Sequence, residues 1–361
     1  MQLRYISMIL IWTLSSVVCA NAQIAPTPDK ADIELSAYSV SLSDDAMILA
    51  IGDHQGDKGN TKSGQVRIYK NISGCWHQIG DDINGEAAGD LSGYSVGLSA
   101  DGSTVAIGAK RNHGLNGKNS GHVRVYKNNA GVWEQIGEDI DGKSKGDSSG
   151  YSVGLSGDGT TVAIGAIFNN TNGKFSGHVR VYKNYSGKWV QIGADINGKA
   201  AKDYFGASVS LSGNGEILAI GAHRGGAPSS YVSVYKNVSG RWVQIGKDIV
   251  GEPTGNFLGW NISMSESGNS LAIAAYNNSK GERYAYVRTY QNNGKSWMQL
   301  GADIDGRTMD RDLLGFNSMS LGNDGTITLI GAYSQSGKNV PAINYLRRFR
   351  FNKWSDKWIR I

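Results

Sequence analysis

The sequence predicts an all-β protein folded as a β-propeller, and three observations carry the prediction. One unit recurs six times at a nearly constant period. Each copy holds four β-like runs joined by turn chemistry. No copy shows the spacing of an amphipathic helix.

The unit is clearest between Gly93 and Gly142. Tyr94-Ser95-Val96-Gly97-Leu98-Ser99 alternates apolar and small residues, and Thr104-Val105-Ala106-Ile107-Gly108-Ala109 does the same. His122-Val123-Arg124-Val125-Tyr126 is a third run and Trp133-Glu134-Gln135-Ile136 a fourth. Period-two alternation with β-branched and aromatic residues is the strand signature. Asp101-Gly102 supplies the positive φ that a tight hairpin needs, and Asn128-Asn129-Ala130-Gly131 turns the chain again. Each unit therefore reads as a four-stranded antiparallel meander. Gly97, Ala106, Gly108 and Ala109 are small where a half-exposed strand carries bulk, so another backbone is expected to approach them closely.

The first-strand anchors of the six copies are Ala37, Gly93, Gly150, Gly206, Gly259 and Gly315; successive positions differ by 56, 57, 56, 53 and 56. A fourth-strand tryptophan recurs at Trp76, Trp133, Trp189, Trp242, Trp297 and Trp358. A period this regular marks a repeat architecture. One four-stranded sheet cannot bury both its faces, whereas six set radially bury each against its neighbours. An open array would need polar caps at its ends, and none is evident. Six units are counted, and a seven-bladed ring stays open. Domain organisation follows. Residues 1–22 read as a signal peptide, with Arg4, an apolar stretch and Ala20-Asn21-Ala22 as cleavage site. Residues 23–36 are a lead-in and 37–361 one domain. Past the signal no apolar stretch is long enough to span a bilayer. Cys75 is then the one remaining cysteine and is expected to be unpaired.

The run from Gly93-Tyr94-Ser95 through Ile107-Gly108-Ala109 to Gly121-His122-Val123-Arg124-Val125-Tyr126 resembles an FG-GAP repeat. Such repeats form the propeller of integrin α-subunits and of many secreted microbial proteins. Phe205-Gly206 and Leu314-Gly315 stand where that family has Phe-Gly. Gly165-Ala166 and Gly331-Ala332 stand at its Gly-Ala-Pro, with the proline missing. The resemblance spans 37–361 and implies the architecture rather than a ligand.

Family members often hold calcium between the first two strands. Here those loops carry about one useful carboxylate each, too few for an ion that takes six to eight oxygens. The inter-unit linkers are the second place for a cation: Asp82, Asn84 and Asp90; Asp139, Asp141 and Asp147; Asp195, Asn197 and Asp203. The preferred reading of these linkers is structural, with Ile plugging between units and Asp or Asn satisfying turns. No cofactor is expected, calcium in the linkers being the exception.

Catalysis needs asymmetric, specific groups, and most polar residues here repeat with the unit, so no catalytic set stands out. Recognition is assigned to rim loops and to off-pattern aromatics: Arg111, Asn112, His113, Phe168, Arg224 and Trp260. The formal net charge is +5, and residues 345–361 alone carry as much: Arg347, Arg348, Arg350, Lys353, Lys357 and Arg360 against Asp356, with Trp354 interleaved. Sequons begin at Asn71, Asn169, Asn184, Asn237, Asn261 and Asn277. The resulting expectation is a secreted, monomeric, non-catalytic binding or adhesion module for an extracellular protein or glycan, with no nucleic-acid partner. The alternative is an extracellular carbohydrate-active protein, a lectin or degenerate glycoside hydrolase.

Overall fold

The computed structural model describes residues 38–56, 61–223, 230–251, 256–277, 284–306, 313–322, 325–334, 343–352, 355 and 357–360. The expected signal segment and lead-in lie outside these residues, as do Arg224, Trp354 and the side chain of Arg347. Among the described residues no helix is long and apolar enough to cross a membrane.

Among the described residues the strands form six antiparallel sheets. The first holds β1 (Ser39–Leu42), β2 (Ile48–Asp53), β3 (Gln65–Ile72), β4 (Cys75–Gln78) and β5 (Ile83–Asn84). The second holds β6 (Ser92–Leu98), β7 (Thr104–Ala109), β8 (His122–Asn129), β9 (Val132–Gln135) and β10 (Ile140–Asp141). The third holds β11 (Ser152–Leu155), β12 (Thr161–Ala166), β13 (His178–Tyr185), β14 (Lys188–Gln191) and β15 (Ile196–Asn197). The fourth holds β16 (Phe205–Leu211), β17 (Ile217–Ala222), β18 (Tyr231–Val238), β19 (Arg241–Gln244) and β20 (Ile249–Val250). The fifth holds β21 (Asn256–Met264), β22 (Ser270–Asn277), β23 (Tyr284–Asn292), β24 (Trp297–Gln299) and β25 (Ile304–Asp305). The last holds β26 (Leu313–Leu321), β27 (Ile327–Ser334), β28 (Ile343–Asn352) and β29 (Lys357–Arg360). Each sheet uses consecutive strands, and β26 approaches β1. The fold is a β-propeller.

The expected four-stranded unit needs correction in five of the sheets. A two-residue strand follows the fourth strand and pairs with the same third strand. In the first sheet Tyr69 pairs with Gln78, and further along β3 Val66 pairs with Ile83. The sheet's outer edge is thus one strand broken in the middle, and the segments read as linkers are its second half. The isoleucines expected to plug there do so. Ile83, Ile140, Ile196, Ile249 and Ile304 are buried, each in the apolar layer between its own sheet and the next.

Those layers are the core. Between the first two sheets Val66, Ile68 and Ile83 meet Val96, Leu98, Val105 and Ile107. The tryptophans close the outer part of each layer. Trp133 Nε1 donates to the Ile79 carbonyl of the preceding sheet at 2.9 Å, and Trp189 Nε1 to Ile136 at 2.7 Å. Nearer the axis, Ser39 Oγ donates to the Gly93 carbonyl at 2.8 Å and Ser95 Oγ to Gly150 at 2.9 Å. The small residues sit where sheets nearly touch. A Cβ on Gly108 would lie 2.3 Å from the Gly150 carbonyl oxygen.

Candidate functional site

A cavity of about 500 Å³ runs along the propeller axis, lined by first strands of all six sheets. Tyr38, Tyr94, Tyr151 and Trp260 stand where these strands begin; Leu42, Leu98, Leu155, Leu211 and Met264 stand where they end. Ser39, Ser95, Ser152 and Ser208 come next after the mouth, and their hydroxyls are committed to glycine carbonyls of the following sheet. No lining residue is Asp or Glu among the described residues.

A backbone irregularity builds the mouth. The pairing of β6 with β7 slips between Ser92 and Ser95, so Gly93 and Tyr94 form a bulge. Gly93 takes φ 78°, which only glycine adopts without cost. Bulges re-aim side chains, and this one sends the Tyr94 ring to the axis. The same slip in β21 presents Trp260.

On one side of the mouth the Tyr38 hydroxyl donates to the Tyr94 hydroxyl at 2.8 Å, and the two rings lie 4.6 Å apart. Tyr151 continues the row, 5.2 Å from Tyr94. His54 packs edge-on against Tyr38 at 4.2 Å. Lys110 Nζ lies 3.2 Å from the centre of the Tyr94 ring and 5.0 Å from that of Tyr151. Two effects oppose each other at this amine. The ring face attracts the ammonium by about 1–2 kcal/mol, or roughly one pH unit. Burial, followed by the charge of Arg111, acts the other way and wins, bringing Lys110 down from 10.5 to about 7. Burial, then the Lys110 charge, lowers His54. Burial also raises the Tyr38 and Tyr94 phenols, which stay protonated. Asp53, beside His54, is turned to the backbone N–H groups of Gln55 and Gly56.

A second aromatic group continues around the mouth. Phe168 packs on Phe175 at 5.2 Å and on Tyr204 at 6.0 Å. Tyr204 reaches His223 at 6.3 Å, and His223 lies 4.9 Å from Trp260. The mouth is therefore an amine of near-neutral pKa and two histidines set among flat aromatic faces, with an apolar floor.

Phe168 and Trp260, singled out in the sequence, are linked through Tyr204 and His223. Arg111 is exposed beside Lys110. His113 is exposed, its Nδ1 3.0 Å from the Arg111 carbonyl. Asn112 is buried scaffold, its Nδ2 donating to Asp90 at 2.9 Å. Arg348 and Arg350 lie on β28, away from the cavity lining. Among the sequons, Asn169 and Asn277 are buried, with side-chain nitrogens donating to Asp147 and Tyr284. Asn261 lines the cavity. Asn71, Asn184 and Asn237 cap their hairpins by accepting from Gly74, Gly187 and Gly240.

Tyr38, Tyr94, His54, Lys110 and His223 were missed. The signal was there: the residue after the first-strand glycine reads Tyr94, Tyr151, Ala207, Trp260, and the residue two past the second-strand glycine reads His54, Lys110, Ile167, His223. These two columns vary while their neighbours repeat.

The linker residues read as cation candidates have protein partners. Asp82 pairs with Arg67 at 3.2 Å, and the Asn84 carbonyl accepts from Arg124. Asp90, Asp147 and Asp203 are buried; Asp203 accepts from the Tyr231 hydroxyl at 2.7 Å. Lys143 Nζ lies 2.6 Å from Asp195, while Asn197 reaches toward the Asp195 carbonyl. Burial raises Asp141, whose carbonyl accepts from Arg180. Asp139 lies beside His122 at 3.3 Å.

No family model and no curated protein matches the chain. Solved structures do. A Pseudomonas aeruginosa periplasmic gluconolactonase, PpgL, superposes with TM-score 0.58 at 15% identity, over 90% of this chain and 84% of that one. Hydrazine synthase of Kuenenia stuttgartiensis gives 0.54 at 12%, over 90% and 95%. An oligogalacturonate lyase in complex with manganese gives 0.50 at 10%, over 87% and 73%. At such identities the likeness establishes the fold. All three propellers are nonetheless named as enzymes, and the axial mouth holds the asymmetric polar set that the sequence seemed to lack. The expectations of a non-catalytic adhesion module and of a non-enzyme are accordingly withdrawn.

Proposed function

We propose that the protein is a carbohydrate-active propeller that takes an acidic saccharide across its axial mouth and uses Lys110 as a proton acceptor. The observation that supports this most is the Lys110 amine, brought down to about 7 and held over Tyr94. Sugars stack their C–H faces on flat rings, and Tyr38, Tyr94, Tyr151 and Trp260 offer four. A cavity lining without carboxylates, next to Lys110 and Arg111, favours an anionic ligand. A glycosidase of the usual kind needs two carboxylates flanking its bond, which the described lining does not supply. A near-neutral amine suits removal of a proton from the carbon beside a sugar carboxylate. The C–H bond breaks and the proton goes to Nζ; the electron pair, delocalised into the carboxylate, then forms a C–C double bond as the glycosidic oxygen on the adjacent carbon leaves and takes a proton from water. One matched propeller, the oligogalacturonate lyase, carries a name from this substrate class.

The finer architectural reading belongs to the same proposal. We read the six sheets as six blades of one ring, supported by the shared axial cavity, and the chain as FG-GAP-like, supported by Phe205-Gly206. Secretion is inferred from residues 1–22.

The test is turnover of uronic-acid oligosaccharides and sugar-acid lactones by the purified protein. Turnover should rise through about pH 7 as Lys110 loses its proton. Lys110→Met should abolish it, and Tyr94→Ala should weaken binding roughly tenfold or more through lost stacking. Binding without turnover would mark a lectin. Neither binding nor turnover would sink the proposal.

A further inference from the structure

We propose that Glu86, His122 and Asp139 form a site for a divalent transition metal, clasping the first sheet to the second. One donor atom from each lies within 4.8 Å of the others. His122 Nδ1 is 3.3 Å from Asp139 Oδ2 and 3.8 Å from Glu86 Oε2. The His122 side chain is 2% exposed, so its ring is fixed by packing rather than by solvent. Gln135 Nε2 donates to the other Asp139 oxygen at 2.7 Å, which orients the carboxylate and leaves Oδ2 for the cluster. Glu86 has two further neighbours: Arg124 Nη1 at 3.5 Å from Oε1, and Asn112 Nδ2 at 3.5 Å from Oε2.

The repeat supplies its own control. Glu86 follows Asn84-Gly85; the equivalent residues after Asp141-Gly142 and Asn197-Gly198 are Lys143 and Lys199. Lys143 Nζ sits 2.6 Å from Asp195, the counterpart of Asp139, and Lys199 pairs with Asp248 in the same way. Each of those junctions places an ammonium against the carboxylate. At the first junction the lysine is replaced by a second carboxylate, so the position that holds a cation elsewhere is framed by two acids and a buried imidazole. Arg124 does not fill it, because its counterpart Arg180 coexists with Lys143 in the next junction. One nitrogen and two oxygens are a donor set for zinc-like ions, with water completing four-coordination. The same set is poor for calcium, which takes oxygens only.

The experiment uses the untagged full chain with zinc chloride, calcium chloride or EDTA, followed by calorimetric titration and thermal unfolding. Zinc should bind at one equivalent and raise the unfolding midpoint by several degrees through linkage; calcium should do neither at this site. Glu86→Lys should lose the zinc response while its midpoint in EDTA is kept or raised, since Lys143 and Lys199 show that the junction accepts the ammonium. His122→Gln copies Gln65 of the first sheet and should also lose zinc while remaining folded. Unchanged zinc binding in both variants, or no zinc binding by the wild-type chain, would overturn the proposal.

Discussion

Lys110 stands out at the scale of the single residue, and its charge has a stability consequence. Its folded value is about 7 against an ordinary 10.5. Between those values the unfolded chain holds a proton that the folded chain does not. Stability contributed here therefore rises with pH across that window, and the penalty is complete below it. Lys110→Met should raise the unfolding midpoint at about pH 6 and give little gain near pH 10. An equal gain at both would assign the effect to packing instead of charge. The sequence contained Lys110 but gave no reason to choose it. Its neighbour Arg111 drew attention as a loop residue, while Lys110 closed a strand-like run. Only the bulge at Gly93-Tyr94, which swings a ring beneath the amine, shows why this lysine differs from the exposed ones.

At the scale of the element, strands, turns and tryptophans were legible because each is local. Alternation wrote the strands, Asp-Gly wrote the hairpins, and one tryptophan per unit wrote the wedge. Gly108 was legible as a close approach, and the cost of filling that space is now definite. Gly108→Ala places a methyl group against the Gly150 carbonyl, which belongs to the next sheet's backbone and cannot swing aside. A loss of about 2–3 kcal/mol is expected from such overpacking, readable as a lower denaturation midpoint with unchanged slope. Trp133→Phe should cost about 1–2 kcal/mol by orphaning the Ile79 carbonyl. Had the wedge been a matter of volume alone, phenylalanine would serve nearly as well. The broken outer strand was not legible, because an Asp-Ile-Asn/Asp segment after a glycine reads as a connection until its pairing partner, five or more residues beyond the hairpin, is known.

The whole molecule is a set of apolar layers, each shared by two sheets. Second strands such as β7 and β12 are buried along their entire length, whereas fourth strands such as β9 face solvent. Amide exchange should therefore be slowest in β7 and β12 and fastest in β9 and β14; uniform rates would show that the sheets open together. Fold class was readable from the repeat, since periodicity survives without knowledge of tertiary contacts. The site was not, because it is assembled at the one place where different sheets converge. Tyr38, Lys110, His223 and Trp260 come from four sheets and share no local pattern. Repetition argued for structure first, and two columns that escape it, those of Tyr94 and Lys110, meet at the axial mouth.

The interrupted outer edge also governs how one molecule meets another. Val132, Val190, Val243, Met298 and Ile359 stand on fourth strands with at least 40% of their surface exposed. Apolar side chains on an open edge are the usual template for intermolecular strand addition. Here the uninterrupted stretch is four residues in β9, and the chain turns away between Gln135 and Ile140 before pairing resumes. A foreign strand that docks on it runs out of partners almost at once. The kink thereby keeps five exposed edges from becoming five sites of polymerisation.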